Sequence, residues 1–236
     1  MAQGAAPTES AASGIGQLRE SSLHAALKAW YARPGDRLEA VVAGCVVDVV
    51  RDDLLIEVQV ANLLAMRDKL RRLGGWPLLL VHPIACEKVI VHVDPASGEI
   101  VQRRRSPKRG RVVDLFDELV HLGDDLNREG LTLEVPLVAV EELRVADGRG
   151  SWRRGGVSIV DRRLVAVRAV ERFETGSDLA RLLPEGLAAP FSNHDLAAAL
   201  GLRRRLAQRM TYCLRQVGVL RAAGKRGREL LFERTE

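Results

Sequence analysis

The sequence predicts an α/β fold, a mixed central sheet flanked by helices, followed by a small basic domain at the C-terminus. Three observations carry that expectation. Between residues 37 and 94, short Val/Leu/Ile-rich runs are interrupted by a helical stretch. The 236-residue chain is 47% hydrophobic, enough to enclose one medium core and a small one. The formal charge of +5 is unevenly spread: residues 191–236 carry ten Lys/Arg against four Asp/Glu. That segment is therefore +6 and the remainder about −1, the electrostatic pattern of a nucleic-acid-binding appendage.

Taken in order, residues 1–17 are small and polar with three Gly, a composition that predicts a disordered leader. A helical pattern starts at Leu18, with Leu23, Ala26, Leu27 and Trp30 at spacings of three and four, and stops at Pro34-Gly35. Strands are expected at 37–43, 45–51 and 54–60, a helix at 62–73 closed by Gly74-Gly75, and strands at 77–83 and 87–94. Beyond a PASG turn comes QRRRSPKRGR (102–111), with six basic residues and no acid, expected as a phosphate-contacting loop that includes Arg104, Lys108 and Arg109. An amphipathic helix near 112–122 and extended stretches at 131–140 and 157–170 follow. The Gly/Arg-rich DGRGSWRRGG (147–156) joins the last two, and its Trp152 either anchors the loop on the core or stacks on a base. The boundaries are 18–172 for the α/β domain, with additions after about 95, 173–190 for a linker and 191–236 for the C-terminal domain.

Several classes are excluded or disfavoured. Three isolated cysteines without CxxC spacing argue against a disulfide framework and a zinc knuckle, and suit a reducing, cytoplasmic compartment. No apolar run reaches the ~18–20 residues that span a bilayer, and the first residues lack a secretory pattern. P-loop, GxGxxG and GxSxG motifs are absent, so neither nucleotide-driven nor serine-hydrolase chemistry is indicated.

The stretch VVDVVRDDLLIEVQV (46–60) places Asp48, Glu57 and Gln59 within apolar strands. If Asp52-Asp53 closes a two-residue hairpin, paired positions sum to 105 and Asp48 faces Glu57, with Cβ atoms roughly 5 Å apart. Gln59 shares their face, and Val47, Val49, Ile56 and Val58 form the opposite, apolar one. Adjacent like charges must share a proton or bind a cation, and Mg²⁺ accepts one or two carboxylates with waters and a phosphate oxygen. A solvated face is the alternative.

Helix, three strands, helix and strand, with Asp48 on the second strand and Glu57-x-Gln59 on the third, resembles the PD-(D/E)XK, or restriction-endonuclease-like, nuclease superfamily over residues 18–94. The resemblance implies a Mg²⁺- or Mn²⁺-dependent nuclease acting on DNA, and a homodimer as a further partner. It implies metal ligation by Asp48 and Glu57, with Glu20 as a third ligand from the first helix. Gln59 stands where the family carries Lys; it would orient the attacking water, or a basic residue on the next helix, Arg67 or Lys69, would take that role. His24 is a candidate for supporting the Glu20 face. The alternative function is a DNA-binding regulator or defence or repair factor on a nuclease fold without catalysis.

The C-terminal segment has an N-cap Ser192 with Asp195 three residues on, a helix to Gly201, a second helix at 203–217 and a hairpin around GKRG (224–227). Leu206, Met210, Leu214 and Val217 form the second helix's inner seam. Its outward set is Arg204, Arg205, Gln208, Arg209, Thr211, Tyr212 and Arg215. With Lys225 and Arg226 at the hairpin tip, the segment resembles a winged helix-turn-helix domain, which implies a helix in the DNA major groove and a wing on the backbone.

Overall fold

The computed structural model describes residues 21–235, and it is a mixed α/β structure with a central mixed sheet flanked by helices. The expected leader and Glu20 lie outside the described residues. Helix α1 (Ser22–Tyr31) is capped by Ser21, whose hydroxyl accepts the His24 N–H at 3.3 Å. Its buried seam is Leu23, Leu27 and Tyr31. Trp30, expected inward, is 51% exposed, because a seam advancing by four rotates position 30 off it.

Strands β1 (Arg37–Val42), β2 (Cys45–Arg51) and β3 (Leu54–Val58) form an antiparallel meander. The expected hairpin register holds: Val49 pairs Ile56, Val50 pairs Leu55 and Arg51 pairs Leu54. Asp52 takes the left-handed conformation in the turn (φ +48), which Asp tolerates better than most residues. A short 3-10 turn (63–66) leads into helix α2 (Arg67–Arg72), which crosses to β4 (Leu78–Val81), parallel to β3.

β5 (Ile84–Val93) continues the line of β4, and β6 (Ile100–Arg105) pairs antiparallel with it. Part of the expected 102–111 loop is therefore strand, and only 106–111 is irregular. The strand tolerates consecutive arginines because all six of its side chains point to solvent on a sheet edge. After a 3-10 turn (112–115) and helix α3 (Phe116–Leu119), β7 (Leu131–Ala146) pairs parallel with β4 along its first part and with β5 along the rest. β8 (Val157–Phe173) returns antiparallel on its other side.

Two apolar clusters cover the faces of this sheet. One packs α1 against Val49, Ile56, Val58, Leu79 and Val81. The other gathers Leu55, Leu78 and Leu80 with Leu70 of α2 and Phe116 of α3. Val47 belongs to this second cluster, not to the face of Val49. Strand alternation is broken there: β1 and β2 pair on both sides of Glu39 and Asp48 but not at them, and Glu39 has φ +50.

The second cluster runs on into the C-terminal elements: β9 (Phe191–Ser192), α4 (Asn193–Leu200), α5 (Arg204–Gln216), β10 (Leu220–Arg226) and β11 (Glu229–Arg234). Residues 173–190, expected as a linker, hold a 3-10 turn (176–182) whose Leu179 is fully buried in that cluster. Ser192 and Asp195 form the expected capping box, and Gly201 ends α4 at φ +59. The three strands order β10-β11-β9, and β10 runs through Lys225 and Arg226, so Gly227-Arg228 is the turn rather than GKRG. Among the described residues no helix is long and apolar enough to cross a membrane.

Candidate functional site

Where β2 and β3 reach Asp48 and Glu57, side chains replace the backbone ladder. Asp48 Oδ2 accepts the Val58 N–H at 2.8 Å, and Glu57 Oε1 accepts the Asp48 N–H at 3.3 Å. Each carboxylate thus bonds the backbone of the other's strand. The ladder itself stops at Val49–Ile56, and the expected directly opposed pair on one face is not formed: the basic partners of the two acids come from helices on opposite faces of the sheet. Each gains one basic partner from a flanking helix. His24 Nε2 of α1 lies 3.2 Å from Asp48 Oδ2, and Lys69 Nζ of α2 lies 2.5 Å from Glu57 Oε1.

The environment splits the pair. Burial opposes ionisation of Asp48, but His24 and the Val58 N–H outweigh it and hold that carboxyl below its usual range. Glu57 is 3% exposed, and burial pushes its carboxyl up to about 7 against the pull of Lys69 and with the push of Asp48. Burial and the neighbouring charges thus push the two carboxyl groups in opposite directions.

Gln59 does not face them. Its amide donates to the carbonyls of Ala61 (2.6 Å) and Asn62 (3.3 Å), and its own carbonyl meets His82 Nδ1 at 2.7 Å. Of the two basic candidates on the next helix, Lys69 meets Glu57, whereas Arg67 turns to Asp125. Among the described residues no group of three or more His, Cys, Asp or Glu is close enough to hold a metal ion alone. Two carboxylates remain as donors. That donor set fits a hard cation that keeps several waters, not an all-protein cage.

Among the described residues the C-terminal arginines divide into those with an ion pair and those without one. Arg205, Gln208, Tyr212, Arg215 and Lys225 are exposed. Arg204 reaches Glu229 at 3.2 Å, and Arg226 binds Asp195 at 2.7 Å. Arg209 is not on the outward face: its Nη1 donates to the carbonyl and carboxylate of Asp117, both at 2.7 Å. Thr211, also expected outside, is 2% exposed and bonds Asn193. Lys108, Arg109 and Arg111 meet the α4–α5 turn at Gly201–Arg203 across a cleft of about 440 Å³, and Arg111 donates to the Leu200 carbonyl. The basic loop and the C-terminal helices thereby form one surface. Arg104 lies on exposed β6, on the sheet extension.

One polar centre has no sequence signal. Glu142 of β7 is 1% exposed, and Lys88 (3.0 Å), Arg144 (2.6 Å) and Arg162 (3.1 Å) converge on it from β5, β7 and β8. A single Glu within a strand does not announce that three cations meet it. Trp152 contradicts the anchoring alternative: it is 83% exposed.

A family model described as "Domain of unknown function (DUF8091)" matches residues 21–174. The chain belongs to this family. The DUF8091 region holds Asp48, Glu57, His24, Lys69 and the Glu142 cluster, and ends one residue after β8. A Treponema pallidum (strain Nichols) protein, described as an uncharacterized protein, is 32% identical over 223 residues, covering 93% of this chain and 87% of that one. Its similarity therefore extends beyond the DUF8091 region into the C-terminal elements. No solved structure matches.

Proposed function

We propose that this protein is a divalent-metal-dependent DNA endonuclease of restriction-endonuclease-like type, gripped to its substrate by a C-terminal winged helix. The observation that carries the reading is the meeting of Asp48 and Glu57 across β2 and β3, with Lys69 of the following helix on Glu57. Asp48 and Glu57 would hold Mg²⁺ or Mn²⁺, with Glu20 a third candidate from outside the described residues. A bound ion of this kind supplies a water of lowered pKa and neutralises charge on the scissile phosphate. His24 holds the Asp48 carboxylate ionised and oriented. Lys69 brings a positive charge next to the scissile position and hydrogen-bonds the attacking water, the part first assigned to Gln59. The exposed Arg205, Arg215 and Lys225 supply phosphate contacts, and Gln208 and Tyr212 of α5 face the bases.

The test is cleavage of duplex, single-stranded, flap and junction DNA in Mg²⁺, Mn²⁺ or EDTA. Cleavage that needs the metal and is abolished by Asp48→Ala supports the proposal; equal cleavage by Asp48→Ala overturns it. A second reading, DNA binding without cleavage, draws on Gln59, whose amide is committed to its own turn. Tight, salt-sensitive binding with no cleavage in either metal would select it.

A further inference from the structure

The sheet continues well past the carboxylates. Glu57 is level with Leu80 and, through it, Leu133, while β7 runs on to Ala146. At the strand rise, this places the β7 end up to roughly 40 Å from the level of Glu57. β5, β6 and the distal halves of β7 and β8 thus form an arm that projects from the end of β3 at which Asp48 and Glu57 meet. Residues 84–111 and 139–168, which build it, contain 14 Lys/Arg against 7 Asp/Glu. This excess is as large as that of the C-terminal segment, and acidic residues elsewhere conceal it in the total charge.

The arm ends in a built loop. Gly150 donates to the Gly156 carbonyl at 3.0 Å, Ser158 Oγ donates to Asp147 at 2.8 Å, and the Arg149 N–H donates to the same carboxylate oxygen at 3.0 Å. Gly150 is obligatory, since a Cβ there would lie 1.9 Å from the Val157 carbonyl oxygen. This ordered turn points Trp152 outward, with the Arg153 guanidinium 5.5 Å from its ring centre. Asp147, the loop's one acid, is spent internally, so Trp152 stands among Arg149, Arg153 and Arg154. An indole on a rigid, cationic tip is the chemistry that stacks on an exposed base while arginines meet phosphates. A duplex interior offers no free base face.

We propose that the arm is a second nucleic-acid grip and that Trp152 stacks on an unpaired base, which makes DNA with a single-stranded segment the preferred substrate. This rests on the DNA reading above and names its substrate class. The experiment uses the full chain in EDTA, so that cleavage plays no part. Trp30→Phe with Trp76→Phe leaves Trp152 as the one indole of the protein, and its fluorescence is followed during titration with single-stranded, flap and blunt duplex DNA. Quenching is expected with the first two. Trp152→Ala should weaken binding to them on the order of tenfold, Trp152→Phe should restore most of it, and blunt duplex affinity should stay within about twofold. Unchanged flap affinity in Trp152→Ala, or equal loss on flap and duplex, overturns the arm proposal and leaves duplex binding standing. Binding to none of the three DNAs overturns both readings.

Discussion

Lys69 Nζ lies 2.5 Å from Glu57 Oε1 and also donates to the Val46 carbonyl, so one ammonium from α2 ties β2 to β3. In the nuclease reading this group is needed for chemistry beyond its structural contacts. Lys69→Met should lower metal-saturated cleavage by about 10²–10³-fold, the range for losing one charge-stabilising donor. Lys69→Arg should recover part of it. Single-turnover rates at saturating DNA check this, with circular dichroism to confirm folding.

Glu57 should weaken the fold at alkaline pH. Its carboxyl is raised from the ordinary 4.5 to about 7 by burial, so the folded state holds the proton that the unfolded state releases. The stability this contributes is complete below pH 4.5 and is lost as pH rises through 7. Glu57→Gln, which still accepts the Asp48 N–H, should raise Tm at pH 8 by an amount worth about 1 kcal/mol and change little at pH 4.5. Thermal melts at both values without metal decide it; a lower Tm at pH 8 would refute the assignment.

Glu142 behaves in the opposite sense. Against the cost of burial, Arg144, Lys88 and Arg162 hold its carboxyl down to about 2. Its contribution is full above the ordinary 4.5 and disappears as pH falls from there through about 2. Glu142→Gln leaves three cations around a neutral group and should cost about 3 kcal/mol at pH 7. Urea denaturation at pH 7 and pH 3 should show the variant's deficit shrinking at the lower value.

Two arginines one helical turn apart should fail differently. Arg205 is exposed and makes no ion pair among the described residues, whereas Arg209 is held by Asp117. Arg205→Ala should weaken DNA binding and lower the salt slope by about 1 without moving Tm. Arg209→Ala should cost about 1–2 kcal/mol of stability, the worth of hydrogen bonds from a charged group. Salt-dependent anisotropy titrations and thermal melts on both variants make the comparison.

What could be read from the chain follows from the range of each cue. The β2–β3 register from Val49–Ile56 to Arg51–Leu54 was legible because a two-residue turn fixes the pairs behind it, and the helix ends at Ser192 and Gly201 because caps are local. Val47 was misplaced because alternation assumes an unbroken strand, and the kink at Glu39 belongs to the neighbouring one. Arg209 looked outward because helical periodicity does not reveal that α3 lies against that side of α5. The Glu142 cluster was invisible because two of its three cations, Lys88 and Arg162, come from other strands, and only Arg144 is near it in sequence. Trp152 was readable as a residue of interest, but only the loop's hydrogen bonds decide which way it points.

β7 is a single strand, bulged in its pairing with β8, that starts level with the carboxylates two strands away and ends six residues before an indole. Removing two residues from it and two from the facing β8 would draw the tip inward by roughly 7 Å and leave every remaining side chain on its original face. Removing one from each would turn the distal half inside out. The distance from the carboxylates to Trp152 can therefore be tailored only in even steps, matched in β5, each about two nucleotides long.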